Sequence, residues 1–128
     1  MRYLPKGMRK QYTAITAATD AENALKLIEG RWKLLILFNL FGGQVKRFSE
    51  LERHIPGISQ KMLIQQLHQL EIDGLVKRIV HHQVPPKVEY CMTDWGQSLC
   101  PALDALLKWF ELREELASKD IPPMNNQD

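Results

Sequence analysis

The chain has 128 residues, 45% hydrophobic and 25% charged, with a formal net charge of +2. This is one domain's worth of ordinary globular composition, enough to bury a core without staples, and it excludes a disordered or fibrous chain. The longest apolar run, Leu34 to Phe41, is broken by Asn39 and falls far short of the roughly 20 residues of a membrane span. No apolar signal segment follows the first basic residues, so a cytoplasmic protein without a membrane partner is expected. The two cysteines, Cys91 and Cys100, have no C-x-x-C spacing. They read as small buried or half-buried thiols, with a redox role for either left open; no cofactor is expected.

A charge of +2 does not announce nucleic acid, but its distribution is uneven. Arg2, Lys6, Arg9 and Lys10 crowd the start, whereas Asp104, Glu111, Glu114, Glu115, Asp120 and Asp128 outnumber Lys108, Arg113 and Lys119 at the end. Such a chain can offer one end to phosphate and keep the other away, although an unstructured solubilising arm explains the basic start equally well. The expected organisation is a basic arm over residues 1–18, a folded domain over 19–117 and a fraying tail over 118–128 (ending DIPPMNNQD).

Thr19 with Glu22 has capping-box spacing and predicts the first helix, which carries Ala21, Ala24, Leu25 and Ile28 and stops at Gly30. Trp32 to Phe41 is apolar almost all round and predicts a helix buried at the centre, ended by Gly42-Gly43. Val45 to Arg47 is a candidate stub strand. Ser49 with Glu52 predicts a short helix to about His54. Ile55-Pro56-Gly57 predicts a turn, because proline disfavours helical geometry at Ile55 and glycine allows positive φ. Ser59 caps the next helix, running to about Asp73 with Gly74 beyond its end. Two capped helices across a tight turn make a helix-turn-helix.

Two β-rich segments then flank Pro85-Pro86 and predict a hairpin. The second alternates, with Val88, Tyr90 and Met92 on one face and Lys87, Glu89 and Cys91 on the other; the first shows no clear inward face. Thr93 predicts the cap of a last helix reaching about Leu116. Leu99, Leu103, Leu106 and Phe110 form a stripe expected to pack on its own domain. Ala102, Ala105, Trp109, Leu112 and Leu116 form a second, expected with Ala21 and Leu25 to meet a twin subunit; a single wide stripe folded on the first helix is the alternative.

This order predicts a mostly α fold with a small antiparallel β wing, a winged helix-turn-helix dimerising through its N- and C-terminal helices. In Ser59 to Asp73, Leu63, Leu67 and Leu70 share one face. At about 100° per residue the opposite face carries Lys61, Gln65 and His68, with Ser59 and Gln60 at the amide-rich tip. Lysine can donate to guanine and glutamine can pair with adenine in the major groove. Arg47 is an expected phosphate anchor, and Lys77, Arg78, His82 and Lys87 are expected wing contacts to phosphate or into a minor groove. For each alone, an ordinary surface charge is the competing explanation. His54, His68, His81 and His82 have no carboxylate or cysteine at ligand spacing, and His81 and His82 would point to opposite strand faces, so no metal site is expected.

The segments LIEGRWKLLIL (27–37), RFSELERHIPGISQKMLIQQLHQLEIDGLVKR (47–78) and VPPKVEYCMTDWGQSL (84–99) resemble the HxlR-type regulators, relatives of the MarR family. The resemblance covers about residues 20 to 110. It implies a homodimer built from the first and last helices, a recognition helix from Ser59 to Asp73, a wing from Val76 to Met92, and palindromic operator DNA as the partner. Many members carry a cysteine followed by proline just ahead of the first helix, and some sense oxidants or electrophiles there. The matching position is read as Thr19, followed by Asp20, which removes that sensor unless Cys91 or Cys100 has taken the role. A small-molecule effector, a partner protein or no effector all stay open.

The expected function is therefore a sequence-specific, dimeric transcription regulator, more often repressor than activator, bound to double-stranded DNA. A winged-helix protein-interaction module is the alternative and would need an apolar or acidic exposed face on Ser59 to Asp73. An enzyme is not expected: Ser59 and Ser98 lack a paired His and Asp pattern, and no Gly-rich phosphate loop or H-E-x-x-H occurs.

Overall fold

The computed structural model describes residues 2–3 and 7–117. Strand β1 (Arg2–Tyr3) pairs antiparallel with β2 (Tyr12–Thr13), and helix α1 (Ala14–Ile28) follows at once. The start expected at Thr19 is thus corrected. Thr13 Oγ1 accepts the Thr16 amide at 3.2 Å while Thr16 Oγ1 accepts the Thr13 amide at 2.9 Å. This reciprocal cap satisfies orphan amides one and a half turns earlier, and Ala14, Ala17 and Ala18 propagate the helix well. Thr19 lies inside α1, its hydroxyl donating to the Ile15 carbonyl. The described residues of the expected arm accordingly hold a β pair and the start of a helix, and Lys10 pairs with Asp20 at 3.6 Å. The tail over 118–128 lies outside the described residues.

Gly30, at φ +95°, ends α1 and opens α2 (Arg31–Leu40). Only Ile36, Leu37 and Leu40 of α2 are fully buried, and Phe38 is 41% exposed, so this helix is less enclosed than its all-round apolarity predicts. Asn39 bonds back to the Leu35 carbonyl and accepts from Lys46 Nζ at 3.3 Å, tying the helix to strand β3 (Lys46–Arg47). Helix α3 (Phe48–His54) starts earlier than a Ser49 cap would allow, because the Arg47 amide donates to Glu50 Oε1 and fixes the first turn there. Gly57, at φ +84°, completes the turn into α4 (Gln60–Ile72).

The exit of α4 is a full Schellman motif: the Gly74 amide reaches the Glu71 carbonyl and the Leu75 amide reaches that of Leu70. Gly74 takes the positive φ the motif demands, +82°. Strands β4 (Val76–His81) and β5 (Lys87–Met92) form the hairpin, and β3 pairs with the other edge of β5, giving the order β3-β5-β4. The register puts Val76 opposite Met92, Arg78 opposite Tyr90 and Val80 opposite Val88; of β4 only Val76 is buried, and Arg78 and Val80 are exposed, so the strand has no continuous inward face. The core gathers Ile36, Leu37, Leu40, Leu51, Ile55, Leu63, Leu67, Leu70, Leu75, Val76, Tyr90 and Met92.

The last helix is broken. Thr93 caps only α5 (Asp94–Gln97), and α6 (Cys100–Leu116) begins afresh. Pro101 at the second position of α6 has no amide for the Gln97 carbonyl, and its ring would clash there in a continuous helix. Beyond Leu103, α6 leaves the core. Leu106 and Phe110, expected to pack on their own domain, are 48% and 52% exposed, and Trp109 is 68% exposed. Between α1 and α5–α6 lies an apolar groove of about 230 Å³, lined by Ala24, Leu27, Ile28, Leu75, Trp95 and Leu99 among others. Among the described residues no helix is long and apolar enough to cross a membrane.

Candidate nucleic-acid interface

Helix α4 is held by burial on one side and capping at its tip. Leu63, Leu67 and Leu70 are at most 1% exposed, each contributing about 1.5–3 kcal/mol of burial. Ser59 Oγ accepts the Met62 amide at 3.0 Å, and the first turn contains no acid that would neutralise its positive end. With this face locked inward, Ser59, Gln60, Lys61, Gln65 and His68 are all exposed, as their spacing predicts. At the far end Gln69 donates to the Asp73 carboxylate. Ile64, Gln69 and Ile72 are exposed as well, and Ile64, at 57%, stands beside Lys61 and Gln65. At about 100° per residue it lies one step round the helix from Leu63, between the leucine face and the polar one.

The expected wing contacts divide between the two faces of the sheet. Lys77 lies opposite Cys91 and Lys87 opposite His81, so both share one side of the sheet with Glu89, as does Arg47 of β3, which stands opposite Glu89; Cys91 on that same side is buried, so the alternation expected of β5 does not hold at its end. Arg78 sits on the other side, opposite Tyr90. Burial pushes the Tyr90 pKa up, and the positive charge of Arg78 opposes that shift. Lys77, Arg78 and Arg47 are exposed, and so is His82, which lies past the end of β4 rather than within it.

Glu89 is a feature hidden from sequence spacing. Its Oε1 lies 2.6 Å from His81 Nε2 and its Oε2 lies 3.7 Å from Lys87 Nζ. A carboxylate therefore does join a histidine, through hairpin register rather than along the chain. Lys87, expected to be free for phosphate, is half-buried and tied to Glu89. Among the described residues no three His, Cys, Asp or Glu side chains gather as a metal site would need. Cys91 is buried and Cys100 half-buried, both as free thiols. Because α1 begins at Ala14, Thr19 is not a residue ahead of the first helix, but no cysteine precedes Cys91 anywhere in the chain.

The arrangement is that of a winged helix-turn-helix: α3, a tight turn, an exposed polar α4 and a β4–β5 wing. The sequence matches the HxlR-like helix-turn-helix family model over residues 27–117. The HTH-type transcriptional regulator YtcD of Bacillus subtilis is 50% identical over 101 residues, spanning 79% of this chain and 75% of that protein. Among solved structures, a transcriptional regulator of the MarR family from Enterococcus faecalis superposes with a TM-score of 0.76 at 34% identity, over 90% of this chain and 99% of that one. The redox regulator HypR in its reduced form gives a TM-score of 0.69 at 40% identity, over 77% and 97%. Fold, motif and relatives agree, and the chain belongs to the HxlR-like helix-turn-helix family of DNA-binding transcriptional regulators.

Proposed function

We propose that the protein is a sequence-specific repressor that binds palindromic operator DNA as a homodimer. The observation that carries this is the split of α4 into a buried leucine face and an exposed face holding Lys61, Gln65 and His68. With α4 in the major groove, Lys61 donates to guanine and Gln65 pairs with adenine, while Ser59 and Gln60 approach phosphate at the helix tip. Arg47, Lys77, Arg78 and His82 lie on the flanking backbone and add affinity more than sequence choice. Lys87 contributes only by leaving Glu89.

The twin subunit packs on α1 and α6, where Ala21, Leu25, Ala102, Ala105, Trp109, Leu112 and Leu116 are all exposed. Four of these, Leu25, Trp109, Leu112 and Leu116, are large apolar side chains that stay in water only at a cost, and a two-fold partner offers each patch its own copy to meet. The dimer sets the two α4 helices about one helical turn apart, roughly 34–36 Å. Bound across two half-sites it excludes other proteins from the duplex, which makes repression the simplest outcome. The cytoplasm, where the chromosome of a bacterial or archaeal relative lies, is the corresponding location.

A gel-shift titration of a duplex selected from a random pool tests this. Lys61→Ala or Gln65→Ala weakens the selected duplex by about 1–3 kcal/mol, and wild-type binding falls as salt rises. Equal affinity for all sequences at moderate salt refutes it. A protein-interaction module needs an apolar or acidic face on α4, and Ile64 and Ile72, at 57% and 64% exposure, supply part of one. Unchanged DNA affinity after neutralising Lys61, Arg78 and Lys87 together favours that alternative.

A further inference from the structure

The outward side of α4 is not uniformly polar. Ile64 stands 57% exposed among Lys61, Gln65 and His68, three residues after the first and four before the last. A single exposed isoleucine is common on protein surfaces and needs no cause of its own. Position is what sets Ile64 apart. It lies in the N-terminal half of the helix, the half that approaches base edges in this motif, and it is flanked on its own face by the expected hydrogen-bonding residues. Ile72, by contrast, closes the helix beside Asp73 and Gly74, at the end farthest from the Ser59 tip.

The major groove displays one apolar group, the C5-methyl of thymine. We propose that Ile64 packs against a thymine methyl and is a specificity-determining residue, selecting thymine at one position of each half-site. This rests on α4 entering the major groove. The helix rises about 1.5 Å per residue and base pairs stack about 3.4 Å apart, so the thymine lies one or two steps from the base pair met by Lys61. An isoleucine offers nothing to a cytosine amine or a guanine carbonyl, and a base that must hydrogen-bond there is left unpaired when it is desolvated.

The experiment is a thymine-to-deoxyuridine scan of the duplex that wild-type protein selects from a random pool, repeated with Ile64→Ala. Deoxyuridine keeps every hydrogen bond of thymine and lacks only the methyl. Wild-type protein is expected to lose about fourfold in affinity at one thymine per half-site, the worth of one buried methyl. Ile64→Ala is expected to bind the thymine duplex more weakly and to be indifferent to deoxyuridine at that position; its circular dichroism and melting stay close to wild type, because the side chain is largely outside the core. Discrimination that persists in Ile64→Ala, or a wild-type protein indifferent at every thymine, overturns the proposal while Lys61→Ala still weakens binding and the groove reading stands. Failure to select any duplex overturns both.

Discussion

Gly96 is the position where a single added methyl group has the clearest consequence. Its φ is not in the left-handed region, and it sits in a helix, so alanine should by backbone preference be stabilising by about 0.5–1 kcal/mol. Packing reverses the sign. A Cβ on Gly96 falls 2.1 Å from the Leu75 carbonyl oxygen, where real Cβ atoms essentially never come within 3.0 Å. The obstacle is backbone and cannot swing aside. Leu75 is itself pinned: its amide closes the Schellman motif on Leu70, and its carbonyl accepts the Thr93 amide at 3.1 Å. Thr93 Oγ1 adds a 2.6 Å bond to the Gly74 carbonyl and accepts the Gly96 amide at 3.0 Å. Moving α5 away by about 1 Å breaks or stretches one or two of these bonds at about 1 kcal/mol each, and overpacking costs about 1–3 kcal/mol. Gly96→Ala is therefore destabilising by about 2–4 kcal/mol, or about 10 °C in Tm for a domain of this size. Urea and thermal unfolding monitored by circular dichroism measure it. A variant as stable as wild type, or more so, refutes the close approach as the reason for glycine.

Further outcomes follow from the site. Ser59→Asp keeps a side chain able to cap the Met62 amide, so stability stays within about 0.5 kcal/mol of wild type, but the carboxylate at the helix tip repels phosphate and the gel-shift midpoint rises. Glu89→Gln leaves Lys87 without its anion; DNA affinity rises and the slope of log K against log salt steepens by up to about 0.9, whereas an unchanged slope means Lys87 does not reach phosphate. Tyr90 has its pKa raised above the ordinary value of 10.0 by burial, so its contribution to stability is complete below that value and is lost as pH rises through the higher folded one. The stability gap between wild type and Tyr90→Phe should accordingly narrow or invert above pH 10, and a gap constant with pH contradicts it. Trp109→Glu together with Leu112→Glu places charge in the α6 patch; sedimentation should report a monomer, with operator affinity falling in parallel.

Local signals carried much of this protein into view. Ser59, Gly57 and Gly74 act within a few residues of themselves, so the cap, the turn and the helix exit are legible from their order alone. The leucine spacing of α4 likewise specifies which face turns inward and leaves Lys61, Gln65 and His68 out. Where two local signals compete, reading one is insufficient: Thr13 with Thr16 caps α1 ahead of Thr19 with Glu22, and Pro101 outweighs the apolar continuity that joins Thr93 to Leu116.

What the order of residues determines by itself is each helix's polarity and the motif they compose, because capping, proline geometry and amphipathic spacing act over one or two turns. The tertiary structure decides the rest. Hairpin register, which no residue of β4 encodes alone, brings His81 to Glu89. The approach of α5 to Leu75 makes Gly96 obligatory. These depend on contacts between segments far apart in the chain, where geometry and not neighbouring sequence sets the distance.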